Sequence, residues 1–209
     1  GNYHTVALDS DGKVYAWGLN SSGQLGDNST TNSSVPVAVT TSGALSGKTI
    51  TAITTGVTHT VALDSDGKIY AWGDNDNGQL GDNSTTNSSV PVAVTTSGAL
   101  SGKTITAIAA GTNYTIALDS DGKVYAWGDN NYGHLGDGST TDSSVPVAVT
   151  TSGALSGKTI TAVAGGTKHS LALDSDGKVY AWGWNSSGQL GNNSTTDSSV
   201  PVAVTTSGA

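Results

Sequence analysis

The sequence predicts an all-β fold, a β-propeller arc made of four-stranded antiparallel blades, and three observations carry that prediction. A 55-residue unit is written four times, with a landmark glycine at Gly1, Gly56, Gly111 and Gly166. Each unit holds short β-branched or aromatic runs bounded by turn residues, and each closes on a Val-Pro-Val run. A fixed period of this size marks an array of units that cannot bury their apolar faces alone. The chain 1–209 thus reads as one repeat array, with units 1–55, 56–110, 111–165 and an incomplete 166–209.

The second unit shows each element in turn. Lys48 to Ile53 alternates β-branched and small residues and predicts a strand, A, which Gly56 ends. Thr58 to Leu63 is strand B, and Asp64-Ser65-Asp66-Gly67 predicts a tight hairpin, with Asp-Gly taking the positive φ values of a type I′ turn. Lys68 to Trp72 is strand C, followed by a long polar loop, 73–89, and then strand D, Val90 to Val94. Pro91 cannot donate a ladder hydrogen bond, so D belongs at the outer edge. Ala-rich, glycine-terminated strand A suits the crowded inner position. Four antiparallel strands repeated side by side make propeller blades. Both faces of a blade are covered by neighbours, which explains the weak polar alternation of B and C.

Composition narrows the function classes. Hydrophobic residues make up 35% of 209 and glycine adds 29, enough for a core built without Phe, Met or Cys. A formal charge of −8 with only eight lysines and no arginine argues against nucleic acid, whose phosphates need clustered cations. No apolar run is long enough to span a membrane, and no signal peptide is expected within the sequence as given. Abundant Ser, Thr, Asn and Gly with little charge suggests a secreted or cell-surface bacterial protein. No cofactor is expected.

Gly-x-x-His-Thr-x-Ala-Leu, Asp-Gly-Lys-Val-Tyr-Ala-Trp-Gly-x-Asn-x-x-Gly-Gln-Leu-Gly and Val-Pro-Val together resemble the regulator-of-chromosome-condensation repeat, over the whole chain. The resemblance implies a propeller, commonly of seven blades in that family. It also implies a choice of roles: guanine-nucleotide exchange, ultraviolet sensing in plants, or β-lactamase inhibition by a bacterial secreted relative. Exchange and chromatin binding lean on basic tails or inserted elements that this sequence lacks. Ultraviolet sensing uses tryptophans beside the landmark glycine, where this chain has Asn2, Val57, Thr112 and Thr167.

Strand A precedes the second, third and fourth units only, giving fifteen strands where four full blades need sixteen. The chain is expected to be part of a longer propeller or half of a roughly eight-bladed ring, completed by a second copy as a head-to-tail dimer.

Differences between the near-identical copies fall in two clusters, one after the landmark glycine and one after the Trp-Gly pair. Strands running up and down put the A–B and C–D connections at one end, so both clusters are expected on one rim. A constant framework with variable loops on one face is how repeat scaffolds carry binding surfaces. Trp184 is the sharpest candidate, since its slot holds Leu19, Asp74 and Asp129 elsewhere. Tyr132, His134 and Lys168 are candidates of the same kind, with Tyr3, Leu19, Asp74, Asp76 and Asp129 in the same clusters as further binding candidates. The shared Trp17, Trp72, Trp127 and Trp182 read as blade packing, and the repeated histidines as hydrogen-bonded within their blades.

Catalysis has little support, because the paired aspartates recur in every unit and read as turn chemistry. Asp74, Asp76, Gly78 and Asp82 faintly resemble a calcium loop, but the first copy has Leu19 and Ser21 there. The reading is a non-enzymatic scaffold for protein binding or surface display. The alternatives are a carbohydrate-binding propeller with one shallow site per blade, built from Asn, Asp and aromatic residues of the C–D loops, or an excised or engineered piece with no ligand.

Overall fold

The computed structural model describes residues 1–205, so the closing Ser207-Gly208-Ala209 falls outside the described residues. Fifteen strands form four antiparallel sheets among the described residues. Blade 1 holds β1 (His4–Leu8), β2 (Val14–Gly18) and β3 (Ser33–Ala38). Blade 2 holds β4 (Ile50–Thr55), β5 (His59–Asp64), β6 (Ile69–Gly73) and β7 (Ser88–Ala93). Blade 3 holds β8 (Ile105–Ala110), β9 (Tyr114–Asp119), β10 (Val124–Gly128) and β11 (Ser143–Ala148). Blade 4 holds β12 (Ile160–Gly165), β13 (His169–Asp174), β14 (Val179–Gly183) and β15 (Ser198–Ala203).

Each complete blade runs in chain order A-B-C-D from one edge to the other, with the proline strand outermost. The inner strands β4, β8 and β12 lie side by side, and β1 takes the inner position in the three-stranded first blade. The landmark glycines follow from that crowding. A Cβ on Gly56 would stand 2.7 Å from the Gly111 carbonyl oxygen and 2.2 Å from the His59 ring. Neither approach leaves room for a side chain.

The strands sit one or two residues from the expected bounds, and the hairpin turn is of another type. In β5–β6, Gly67 N donates to Asp64 O at 3.1 Å and Asp64 N donates to Lys68 O at 2.9 Å. Only Gly67 takes a positive φ, +72°, so this is a type I turn closed by a glycine bulge, not type I′. Asp64 fixes it: Oδ1 accepts from Asp66 N and Lys68 N, and Oδ2 from the Tyr70 hydroxyl. A carboxylate can satisfy both amides only when the chain bends this way.

The core lies in the seams between blades. Val61, Leu63, Ile69 and Leu80 of blade 2 pack against Ala117, Tyr125, Trp127 and Ile108 of blade 3. The same positions meet at the other two seams, with Trp72 and Trp182 in the place of Trp127. Every residue of β5 and β9 is buried, as expected of a sheet covered on both faces. In β13 buried and open positions alternate, because no blade follows it among the described residues.

Polar groups also bridge the seams. Trp72 Nε1 donates to Gln24 O at 3.0 Å, Trp127 Nε1 to Gln79 O at 3.0 Å, and Trp182 Nε1 to His134 O at 2.9 Å. His4 Nε2 pairs with Thr60 Oγ1 at 2.8 Å and His59 Nε2 with Thr115 Oγ1 at 3.2 Å. The histidines thus bond across to the next blade, not within their own. Period alone cannot show this, because residues 56 apart are the partners and every unit looks alike.

Candidate functional site

The C–D loops owe their shape to one buried asparagine each. Asn75 Oδ1 accepts from Leu80 N, while Nδ2 donates to Ser84 O, Thr86 O and Asp82 Oδ1. Asn20, Asn130 and Asn185 do the same work and are equally buried. These asparagines are therefore not free for a sugar, which removes one component of a repeat-wise lectin site. Their constancy among variable neighbours was the signal for this role. Asn28 and Asn83 carry positive φ values of 65° and 67°, and the aligned Gly138 shows why: only Gly and Asn adopt that backbone readily.

The A–B turns and C–D loops emerge on one rim and are tied together. Leu19 N donates to Tyr3 O, Asp74 N to Thr58 O, Asp129 N to Asn113 O and Trp184 N to Lys168 O, all within 2.8–3.0 Å. The opposite rim carries the B–C hairpins and D–A connections, bridged by Lys48–Asp66, Lys103–Asp121 and Lys158–Asp176 pairs at 3.0–3.2 Å.

Three of the candidate residues converge on this first rim. Lys168 Nζ stands 4.4 Å from the centroid of the Tyr132 ring, and Trp184 lies 6.0 Å from it, tilted by 55°. Tyr132 comes from the C–D loop of blade 3, Lys168 and Trp184 from blade 4, so the cluster straddles a seam. The aligned positions at the seam between blades 2 and 3 hold Asn77, Asn113 and Asp129, of which Asn113 Nδ2 donates to Asn77 Oδ1 at 3.4 Å. A cation above an aromatic face, next to an indole, replaces a pair of amides. All three side chains are half-buried, leaving part of each ring open. Lys168 is also the single lysine of eight on this rim, the others sitting at the hairpins and the strand A starts.

The remaining candidates are scattered. Tyr3 is 60% exposed on blade 1, and Leu19, Asp74 and Asp76 lie on blades 1 and 2. Asp74 accepts from the Thr58 hydroxyl and the Asp76 amide. Asp82 is taken up by Ser84 and Asn75, so two of the three carboxylates of the calcium-like loop, Asp74 and Asp82, are spent internally. Among the described residues no three His, Cys, Asp or Glu side chains could together hold a metal ion.

His134 is a correction, since it is fully buried and not a surface anchor. Its ring meets Tyr114 at a centroid distance of 4.5 Å, and Nε2 lies 3.7 Å from Asp129 Oδ2. Burial holds its pKa down to about 4, outweighing the neighbouring Asp129. Tyr114 Oη reaches across the seam to Gly166 O at 3.3 Å and to the His169 carbonyl, and it accepts from the Ser170 hydroxyl at 3.2 Å. Tyr114, His134 and Ser170 each differ from their counterparts in the other units, and the three touch. They form a buried prop beneath the rim cluster.

The RCC1-like domain family model matches residues 1–208. The chain belongs to that family. It is 38% identical over 204 residues to the Arabidopsis thaliana ultraviolet-B receptor UVR8, covering 98% of this chain and 44% of UVR8. Against the human E3 ubiquitin-protein ligase HERC2 the identity is 35%, over 98% of this chain and 4% of HERC2. The crystal structure of human WBSCR16 superposes with a TM-score of 0.85 at 28% identity, covering 98% of this chain and 51% of that one. Yeast RCC1 (Prp20), solved with Kap60 bound, shares the fold with a TM-score of 0.80 at 24% identity and 48% coverage of its chain. The chain thus spans about half the length of UVR8 and of these solved structures. The slots beside the landmark glycines, Asn2, Val57, Thr112 and Thr167, line an open hollow of about 210 Å³ at the inner strands.

Proposed function

We propose that this RCC1-like array is a non-catalytic module that binds a protein through its A–B and C–D rim, centred on the seam between blades 3 and 4. The convergence of Tyr132, Lys168 and Trp184 carries the reading. None is repeated at its slot in another unit, where Ser22, Asn77 and Ser187, then Tyr3, Thr58 and Asn113, then Leu19, Asp74 and Asp129 stand, and the fold does not need them, because seams 1–2 and 2–3 form without them. Tyr and Trp dominate interface hot spots, since a large rigid ring buries much area at little entropic cost. Lys168 adds a cation for a carboxylate on the partner. The loops beneath are held by Asn130 and Asn185, so little ordering is needed on binding. The Kap60 complex of Prp20 lends support to a protein partner for a propeller of this kind. The recurrent aspartates that could suggest catalysis, Asp64, Asp119 and Asp174, cap hairpins instead.

Selection of a phage-displayed random-peptide library on the protein tests this. Enriched peptides should lose affinity about thirtyfold with Trp184→Ala, the factor expected of a hot spot, and should weaken with Lys168→Ala. Peptides indifferent to both substitutions overturn the proposal. Binding lost instead with Asp66→Ala would place the contact on the opposite rim.

A further inference from the structure

The charges of this chain are sorted between its two rims. The hairpin rim holds eight aspartates and seven lysines, a net −1. The A–B and C–D rim holds eight aspartates and one lysine, a net −7, which completes the −8 of the sequence. All eight aspartates of the second rim lie in C–D loops, three each in blades 2 and 3 and one each in blades 1 and 4. The fold does not ask for this excess. Asp142 Oδ1 accepts from Asn130 N at 2.8 Å, and in the first two units Asn32 and Asn87 make the same bond without a charge. Asp76 is exposed, its carboxylate has no hydrogen-bond partner among the described residues, and its slot holds Ser21, Asn131 and Ser186 elsewhere.

The acids gather at the seam between blades 2 and 3. Asp142 Oδ2 accepts from Asn77 Nδ2 across that seam at 3.4 Å, and Asp76 is the chain neighbour of Asn77. Next to Asp129, the fully buried His134 Nε2 has no hydrogen-bond partner and points at Asp129 Oδ2 from 3.7 Å. Burial keeps that ring uncharged at neutral pH, so it does not offset Asp129. No three of these groups could together hold a metal ion among the described residues. Carboxylates spread along a rim suit cations spaced along a chain. Blades 2 and 3 each pack between two others, so the surroundings of these loops are set within the described residues.

We infer that the partner of this rim presents an extended basic segment, with lysines or arginines over Asp76, Asp129 and Asp142. This names the partner's charge and rests on the protein-binding reading above. The basic residues lie one seam away from Lys168, which keeps its place for a carboxylate, while Tyr132 and Trp184 supply the apolar seat. A field of one sign steers an oppositely charged chain onto the rim and turns away acidic competitors.

Fluorescence anisotropy with a labelled octalysine peptide at low salt tests it. Asp76→Asn combined with Asp142→Asn should weaken binding about tenfold, two exposed charges being lost. Both replacements stand at those slots in other units, as Asn131 and as Asn32 and Asn87, so the loops should keep their shape. Asp66→Asn combined with Asp121→Asn removes the same charge from the hairpin rim and should change binding less than about twofold. Far-ultraviolet circular dichroism checks that both double variants keep their sheets. Equal losses from the two pairs, no measurable octalysine binding, or octaglutamate binding as tightly overturns the inference. The rim reading is judged apart from it: library peptides that depend on Trp184, with octalysine indifferent to Asp76 and Asp142, would leave the rim standing and the partner's charge wrong.

Discussion

Tyr114 and His134 meet at a ring-centroid distance of 4.5 Å with their planes tilted by 57°, inside the third blade and against the fourth. In the second unit the same two slots hold His59 and Gln79, and Gln79 Oε1 accepts from the Asn77 amide. The exchange of both residues at once points to a coupled change. Tyr114→His and His134→Gln should each destabilise the protein alone, and the pair together should cost less than the sum. Contacting core residues couple by about 0.5–3 kcal/mol, so a double-mutant cycle of urea midpoints should show about 1 kcal/mol. Additivity would mean that the two positions diverged separately.

The indole bond across each seam predicts a second outcome. Trp127→Phe removes the donor to Gln79 O and opens a small space beside fully buried Leu80. The carbonyl keeps the Thr115 hydroxyl at 2.9 Å, so the loss should be moderate, about 1–3 kcal/mol. Equilibrium unfolding followed by circular dichroism measures it. A change below about 0.5 kcal/mol would show that the indole nitrogen matters little to seam strength.

The hairpin carboxylates give a contrast within one chain. Asp119 is buried, accepts from Asp121 N, Lys123 N and the Tyr125 hydroxyl, and lies 3.5 Å from Lys103 Nζ. Among the described residues, the Asp9 carboxylate accepts only from Asp11 N and Lys13 N. Asp119→Ala should cost about 2–4 kcal/mol and Asp9→Ala about 1 kcal/mol. Equal losses would mean that the turn amides alone account for the effect.

Acid should weaken the seams. Burial holds His59 down to about 3, with a smaller push from His4, and holds His134 down to about 4. Unfolded histidine titrates near 6.5, so between about 6.5 and 4 the unfolded chain binds more protons than the folded one. Stability is complete above the unfolded value and falls with pH through this window, by about 1.4 kcal/mol per pH unit for each histidine kept neutral. Asp129 and Asp142 favour the charged His134 ring and Lys168 opposes it, but burial outweighs them. Denaturant midpoints from pH 8 to pH 4 should be flat and then drop, and His59→Asn should shallow the drop.

The repeat made blade order, strand pairing and the outer proline strand legible, because each rests on local patterns copied four times. It also put Tyr132, Lys168 and Trp184 on one rim by strand alternation alone. What stayed hidden was anything decided between units. The His4–Thr60 and Trp72–Gln24 bonds cross seams, and a sequence of near-identical copies gives no sign of which neighbour is meant. His134 looked like a surface residue because its loop is polar, yet that slot is buried where another blade packs on it and half-open in Gln189, where none does among the described residues. The type I′ expectation failed because Asp64 recruits two backbone amides and so selects the other bend.

The Tyr114, His134 and Ser170 prop bears on how such an array keeps its units in sequence. Copies this alike could exchange places during folding or recombination, since seams 1–2 and 2–3 offer nearly the same surfaces. A third unit with its longer phenol needs the smaller Ser170 of the fourth, where the other junctions present Thr60 or Thr115. That one keyed junction gives the chain an address, and a shuffled order would have to break it.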